Sequence, residues 1–197
     1  FIRLGHYQQS RLVLELCDEL GILVWEEIPW CRGGLGGPEY REQGKRMLRN
    51  LIAQHRNHPS VILWGLGNEN DWPGAFEIFD KEAIRAYMQE LHNLSHELDD
   101  SRLTAIRRCS FCADIVDVYS PSIWAGWYKG AYVDYKSATR AEMLGVDRFL
   151  HVEWGADSHA GRFAEDPHRN LTYAPEPPQG EIVPGKPEDT NGPNNST

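Results

Sequence analysis

The chain of 197 residues is short of long hydrophobic runs. None approaches the roughly 20 apolar residues that a helix needs to cross a bilayer. The longest, residues 21–25, has the length of one buried strand, and no membrane partner is expected. Basic residues are also short. Lys and Arg number 20 against 29 Asp and Glu, a formal charge of −9. A surface that neutralises phosphates needs clustered cations, so nucleic acid is excluded as a partner. Cysteine is sparse, at four residues. Cys109-Ser110-Phe111-Cys112 is a lone C-x-x-C with no second pair, which argues against zinc and for buried thiols. No signal peptide and no initiator methionine are present. Phe1-Ile2-Arg3 begins in the middle of an apparent strand, so an upstream part of the protein, with any targeting segment, is expected to precede it. No internal repeat is found. From residue 173 onward Pro, Gly, Asn and Glu dominate and no apolar period survives. Residues 173–197 therefore read as a long loop or disordered tail, and residues 1–172 as the folded core. Asn93-Leu94-Ser95 and Asn170-Leu171-Thr172 fit glycosylation sequons, a pattern short enough to arise by chance.

What is there is a rhythm. Hydrophobic content of 41% and charged content of 25% are ordinary globular values, and short apolar runs alternate with longer amphipathic stretches. Strands are expected at 1–5, 22–27, 61–67, 103–106, 116–120 and 149–154. Helices are expected at 10–20, 39–56, 76–98 and 133–144. The first helix has Ser10 as its N-cap, Leu12, Leu16 and Leu20 at i, i+4, i+8, and Gly21 where a C-cap wants positive φ. The third carries Ile84, Tyr87, Met88, Leu91, Leu94 and Leu98 along one face. Strand–helix alternation implies parallel strands with helical crossovers, and near-continuous apolar strands imply two covered faces. A doubly wound sheet and a (β/α)8 barrel both fit. Polar residues tip the choice: Arg3, His6, Glu26, Glu27, Asn68, Glu69 and Glu153 all end separate apolar runs, and barrels build their sites at that face. The expected fold class is α/β, a (β/α)8 TIM barrel with six of its eight strands in this chain.

Two carboxylates carry the chemistry. Glu69, in Leu66-Gly67-Asn68-Glu69-Asn70, sits at the tip of a buried strand, where desolvation raises its pKa and favours a protonated acid. A capping or arginine-paired glutamate is the structural alternative. Glu153, in His151-Val152-Glu153-Trp154-Gly155, is a second carboxylate at the end of another apolar run. Strand alternation points Leu150, Val152 and Trp154 one way and His151 and Glu153 the other. Two such groups roughly 5–5.5 Å apart support double displacement on a glycoside. Trp64, Trp72, Trp124, Trp127, Tyr128 and Trp154 suit sugar faces, although Trp64 reads better as core.

Over residues 1–165 the chain resembles glycoside hydrolase family 2, the family of β-galactosidases, β-glucuronidases and β-mannosidases. The resemblance rests on Ile2-Arg3-Leu4-Gly5-His6-Tyr7, Leu16-Cys17-Asp18-Glu19-Leu20-Gly21-Ile22-Leu23-Val24, Arg56-Asn57-His58-Pro59-Ser60-Val61-Ile62, Gly67-Asn68-Glu69, Gly126-Trp127-Tyr128 and Val152-Glu153-Trp154-Gly155, in that order. It implies a (β/α)8 barrel, retaining chemistry, Glu69 as general acid/base and Glu153 as nucleophile. It further implies Asn68 on the sugar 2-hydroxyl, His6 near the sugar, and Arg3 holding the nucleophile. A cation there keeps Glu153 ionised while Glu69 stays protonated.

The sequence departs from the family in places. Where many members place a tyrosine that donates to the nucleophile, this chain has Trp124, and Tyr119 is a possible substitute from the same strand. The family's magnesium positions match Cys31 and Gly33, so neither metal nor cofactor is expected. Trp154 is a further candidate sugar contact, and His159 and Arg162 could shape access. The leading expectation is an exo-acting retaining β-glycosidase, most favourably a β-galactosidase, with β-glucuronidase or β-mannosidase as the alternative. A non-catalytic carbohydrate-binding barrel is the rival from another class. The expected partners are a carbohydrate substrate and other domains of a longer protein, and a homo-oligomer is compatible.

Overall fold

The structure, a computed structural model, describes residues 1–73 and 79–154. The expected tail at 173–197, the start of the expected third helix, the second sequon, His159 and Arg162 lie outside these residues.

Five strands form one sheet: β1 (Ile2–Leu4), β2 (Val24–Glu27), β3 (Val61–Asn68), β4 (Leu103–Arg107) and β5 (Val118–Ser120). All neighbours are parallel and the order is β1-β2-β3-β4-β5. A doubly wound sheet reverses its strand order at a switch point. Strictly sequential order is instead the wall of a (β/α)8 barrel. The helices α1 (Arg11–Leu20), α2 (Pro38–His55), α3 (Lys81–Leu98) and α4 (Tyr135–Met143) lie between strands or after β5.

The caps explain the helix ends. Ser10 Oγ accepts from the Leu12 N–H and Gly21 closes α1 at φ 68°. Asp80 accepts from Glu82 and Ala83 to start α3, satisfying amide groups that have no partner inside the helix. The α3 face is buried as its periodicity demands, with Ile84, Tyr87, Met88 and Leu91 sealed. Each such side chain contributes roughly 1.5–3 kcal/mol. The stripe on α1 is a correction. Leu14 and Cys17 are buried, whereas Leu12, Leu16 and Leu20 are exposed. Here α1 flanks β1, the edge of the described sheet, so only the side turned toward the sheet is covered.

Alternation along each strand separates two layers. Trp25, Leu63, Ala105 and Val118 pack together, with Leu150 and Val152 against them; these line the barrel interior. Val24, Trp64, Leu66, Ile106 and Tyr119 face the helices. Trp64 is core, as expected, its indole donating to Asp99 (3.0 Å). Gly65 sits where a Cβ would come within 2.3 Å of the Trp25 indole nitrogen and 2.4 Å of Glu27 Cβ, so the interior has room there for glycine alone.

The sixth expected strand is also corrected. Residues 149–154 make only isolated bridges, Tyr119 with Phe149 and Ile123 with Trp154. Their neighbour β5 is just three residues long, and Val152 N–H turns to the Ser120 hydroxyl instead of a backbone partner (3.2 Å).

Candidate active site

The C-terminal strand tips converge on one guanidinium. Arg107 ends β4 in register with Asn68 on β3 and Ser120 on β5. Its Nη1 lies 2.8 Å from Glu69 and its Nη2 2.6 Å from Glu153. A planar fork can reach both carboxylates only when they stand close together, as a retaining pair must, at roughly 5–5.5 Å. Arg107 is 1% exposed. Sequence reasoning missed it by ending the fourth strand at Ile106. The rule that identified the other tips, a polar residue directly after an apolar run, applies equally to Arg107-Arg108.

Arg3 does contact Glu153, at 3.2 Å, but its main commitment is elsewhere. Nε and Nη2 grip Glu27 at 3.0 and 2.8 Å. Glu27 is wholly buried and also accepts from the Trp25 indole (3.0 Å), so it is the anchor of this corner. His6 Nδ1 lies 2.9 Å from Glu27, leaving the ring 42% exposed toward the mouth. Asn68 is buried; its Oδ1 accepts from Arg3 (2.7 Å) and its Nδ2 donates to Cys31 Sγ (3.2 Å). Glu26 points the other way, to His55 (2.7 Å) and the Gln9 N–H (3.1 Å), and is structural.

Glu69 departs from its expected state. Burial does push its pKa up, but Arg107, then Arg108 and Arg32, outweigh burial and hold the carboxyl below the usual glutamate range. The free site therefore favours an ionised Glu69, where desolvation alone predicted a protonated one. Its backbone has φ 52°, and Arg32 and Arg108 beside it have φ 66° and 60°. Non-glycine residues in this region each cost of order 1–3 kcal/mol and cluster where function holds them.

The two candidate donors to the nucleophile, Tyr119 and Trp124, make no hydrogen bond to Glu153, which accepts from Arg3 and Arg107. Tyr119 is 5% exposed and packs in the helix-facing layer, because alternation on β5 turns Val118, not Tyr119, to the interior. Burial raises its pKa. Trp124 stacks on Arg107 and Arg108, at 5.6 and 5.3 Å, and its buried indole nitrogen has no hydrogen-bond partner among the described residues. Trp154 is 60% exposed beside His151. Trp127 stacks on Tyr128 at 4.4 Å. Glu153 reaches the site through a bend, while Leu150 and Val152 fill the interior beneath it.

Of the two positions expected to match a metal site, Cys31 faces Asn68 and Gly33 donates its N–H to the Trp72 carbonyl. Elsewhere among the described residues, His92, His96 and Asp117 have the composition of a metal site. Asp117 Oδ2 is already committed to His96 (2.7 Å) and to the amide and hydroxyl of Thr104 (2.8 and 2.9 Å). That cluster ties α3 to the strand starts, opposite the carboxylates.

Comparison with known proteins identifies the family and agrees with the fold. Residues 1–169 match the model of glycosyl hydrolases family 2, TIM barrel domain. A putative β-glucuronidase of Formosa agariphila is 48% identical over 168 residues, 85% of this chain and 20% of that protein. A β-galactosidase of Thermoanaerobacterium thermosulfurigenes is 34% identical over 120 residues, 60% of this chain and 15% of that protein. The crystal structure of Parabacteroides merdae β-glucuronidase with glycerol in its active site superposes with a TM-score of 0.81 at 71% identity. It covers 83% of this chain and 20% of that one. The chain thus spans about a fifth or less of the length of these relatives. With the matched span covering most of the residues, the chain belongs to glycosyl hydrolases family 2, as part of its TIM barrel domain.

Proposed function

We propose that the protein carrying this chain is a retaining exo-β-glycosidase, and that its sugar is a glucuronide. The observation that carries the mechanism is the single Arg107 fork shared by Glu69 and Glu153. Glu153 attacks the anomeric carbon while Glu69 protonates the departing oxygen; Glu69 then deprotonates the water that releases the sugar. Arg107, Arg108 and Arg32 hold Glu69 toward its ionised form in the free site, so its role as acid requires it to take up a proton when substrate is bound. Asn68 and the open edge of His6 stand beside the pair for the sugar hydroxyls.

Sequence favoured a β-galactosidase; the names of the similar proteins support the β-glucuronidase alternative better. Full-length protein assayed on aryl β-glucuronide, galactoside, mannoside and glucoside tests this, with the glucuronide expected to lead. E69Q and E153Q are each expected to lower kcat by about 10²-fold or more. Retained hydrolysis in both variants would refute the assignment of these two carboxylates, and no hydrolysis of any of the four glycosides by the wild type would favour a non-catalytic carbohydrate-binding barrel.

A further inference from the structure

Arg108, just past the β4 tip, serves two carboxyls. Its Nη1 lies 3.5 Å from Glu69 and its Nε 3.3 Å from Asp71. Local backbone brings the three together. The Glu69 N–H donates to the Arg107 carbonyl (3.0 Å) and the Trp72 N–H to the Glu69 carbonyl (2.9 Å), so a tight turn carries Asp71 back to the end of β4. The Arg108 N–H donates to the Ser120 carbonyl (2.6 Å). Its guanidinium lies 4.9 Å from the Trp72 ring and 5.3 Å from the Trp124 ring. The cation is thus held in place, and Glu69 and Asp71 compete for it.

Asp71 is not paired as a structural carboxylate is. Asp99, also buried, accepts from Ser101, Arg102 and Trp64 with both oxygens. Asp71 meets Arg108 through one long contact, and its buried Oδ1 has no hydrogen-bond partner among the described residues. Leaving such an atom unpaired costs roughly 1–3 kcal/mol, which marks Asp71 as a group kept for its charge rather than its bonds. Burial pushes its pKa up. Near it stand Arg108, Glu69, the Cys109 thiol and the Tyr119 phenol; the last two are pushed toward their neutral forms, Cys109 by its hydrogen bond with Cys112 and by burial, Tyr119 by burial. Glu69 faces Arg107, Arg108 and Arg32, with the Cys31 thiol nearby, itself pushed up by burial. Two anions oppose those cations: Glu153 shares Arg107, and Asp71 shares Arg108.

We propose that Asp71 is a positioning residue for the acid/base: by engaging Arg108 it weakens that arginine's hold on Glu69, so that Glu69 can take up the proton its role requires. The proposal rests on Glu69 being the acid/base. An anion beside a carboxyl disfavours its ionised form, so in D71N Glu69 stays ionised to lower pH. Full-length protein is assayed on the phenyl glycoside of the sugar found best in the aryl panel, a poor leaving group that needs the acid. The basic limb of the kcat/KM profile is expected to move to lower pH in D71N, with kcat/KM on that limb falling about threefold or more. In an R108Q background the same substitution should move the limb less, because a buried Asp71 without its cation is already neutral. D71S, uncharged and shorter, is run beside D71N, with circular dichroism to confirm folding. A limb that stays in place or moves upward, an equal loss at every pH, or an undiminished shift in R108Q overturns the proposal. If neither variant folds, Asp71 is a structural group and the proposal falls. E69Q separates the two readings. Inactive E69Q with an unmoved D71N limb sinks this proposal alone, whereas active E69Q, or a wild type that cleaves no glycoside, sinks both.

Discussion

Replacing Arg107 with glutamine removes the cation that both catalytic candidates share. The guanidinium is 1% exposed and lies 2.8 Å from Glu69 and 2.6 Å from Glu153. Unit charges about 4 Å apart attract by roughly 4 kcal/mol at an effective dielectric near 20, before desolvation is subtracted. Loss of a cation disfavours the ionised carboxyl, so Glu69 in R107Q keeps its acid proton to higher pH. The basic limb of the kcat/KM profile, which reports the free enzyme's acid, should move upward. Arg108 and Arg32 remain, each 3.5 Å away, so part of the depression persists in the variant. Turnover should drop by about 10- to 100-fold as both carboxylates lose their common anchor. The assay is a pH–rate series on full-length wild type and R107Q, with circular dichroism to confirm folding. A folded R107Q whose kcat/KM limb does not move would refute the assignment of Arg107 as the group controlling Glu69.

Three further outcomes follow from the packing. Burial pushes Asp99 up, but hydrogen bonds from Ser101, Arg102 and Trp64 overcome it and bring its pKa down to about 2 from the ordinary 3.8. A depressed folded-state value means stability present above pH 4 and lost as pH falls toward 2. D99N should therefore cost about 2 kcal/mol near neutrality, with the difference from wild type shrinking in acid denaturation curves between those limits. G65A forces a methyl against Trp25 and Glu27, so its melting curve should show about 1–3 kcal/mol of destabilisation. Y119F should keep kcat within about twofold; a hundredfold loss would restore Tyr119 as a donor to the nucleophile.

Local chemistry explains what could be read without coordinates. The α1 caps at Ser10 and Gly21, the buried face of α3 and the packing of Trp64 depend on neighbours close in sequence or on simple periodicity. The tips at Arg3, His6, Asn68 and Glu69 were readable for the same reason, since an apolar strand ending in a polar residue marks the face where a barrel builds its site. Tyr119 and Trp124 could not be assigned that way. Whether a strand residue faces the interior or the helices depends on a register of period two, and a one-residue change reverses it. Arg107 was hidden by a boundary drawn one residue short.

Sequence by itself thus determined the strand–helix rhythm and the family, and singled out Glu69 and Glu153 as candidates. Tertiary structure alone decided their electrostatic partners. Arg32, Arg107 and Arg108 come from two loops and strands far apart in the chain, and their charges meet Glu69 only after β2, β3 and β4 align. A carboxyl's proton affinity depends on every charge within a few ångströms, whichever part of the chain supplies it. Burial, which the sequence did reveal, was for that reason overruled at Glu69.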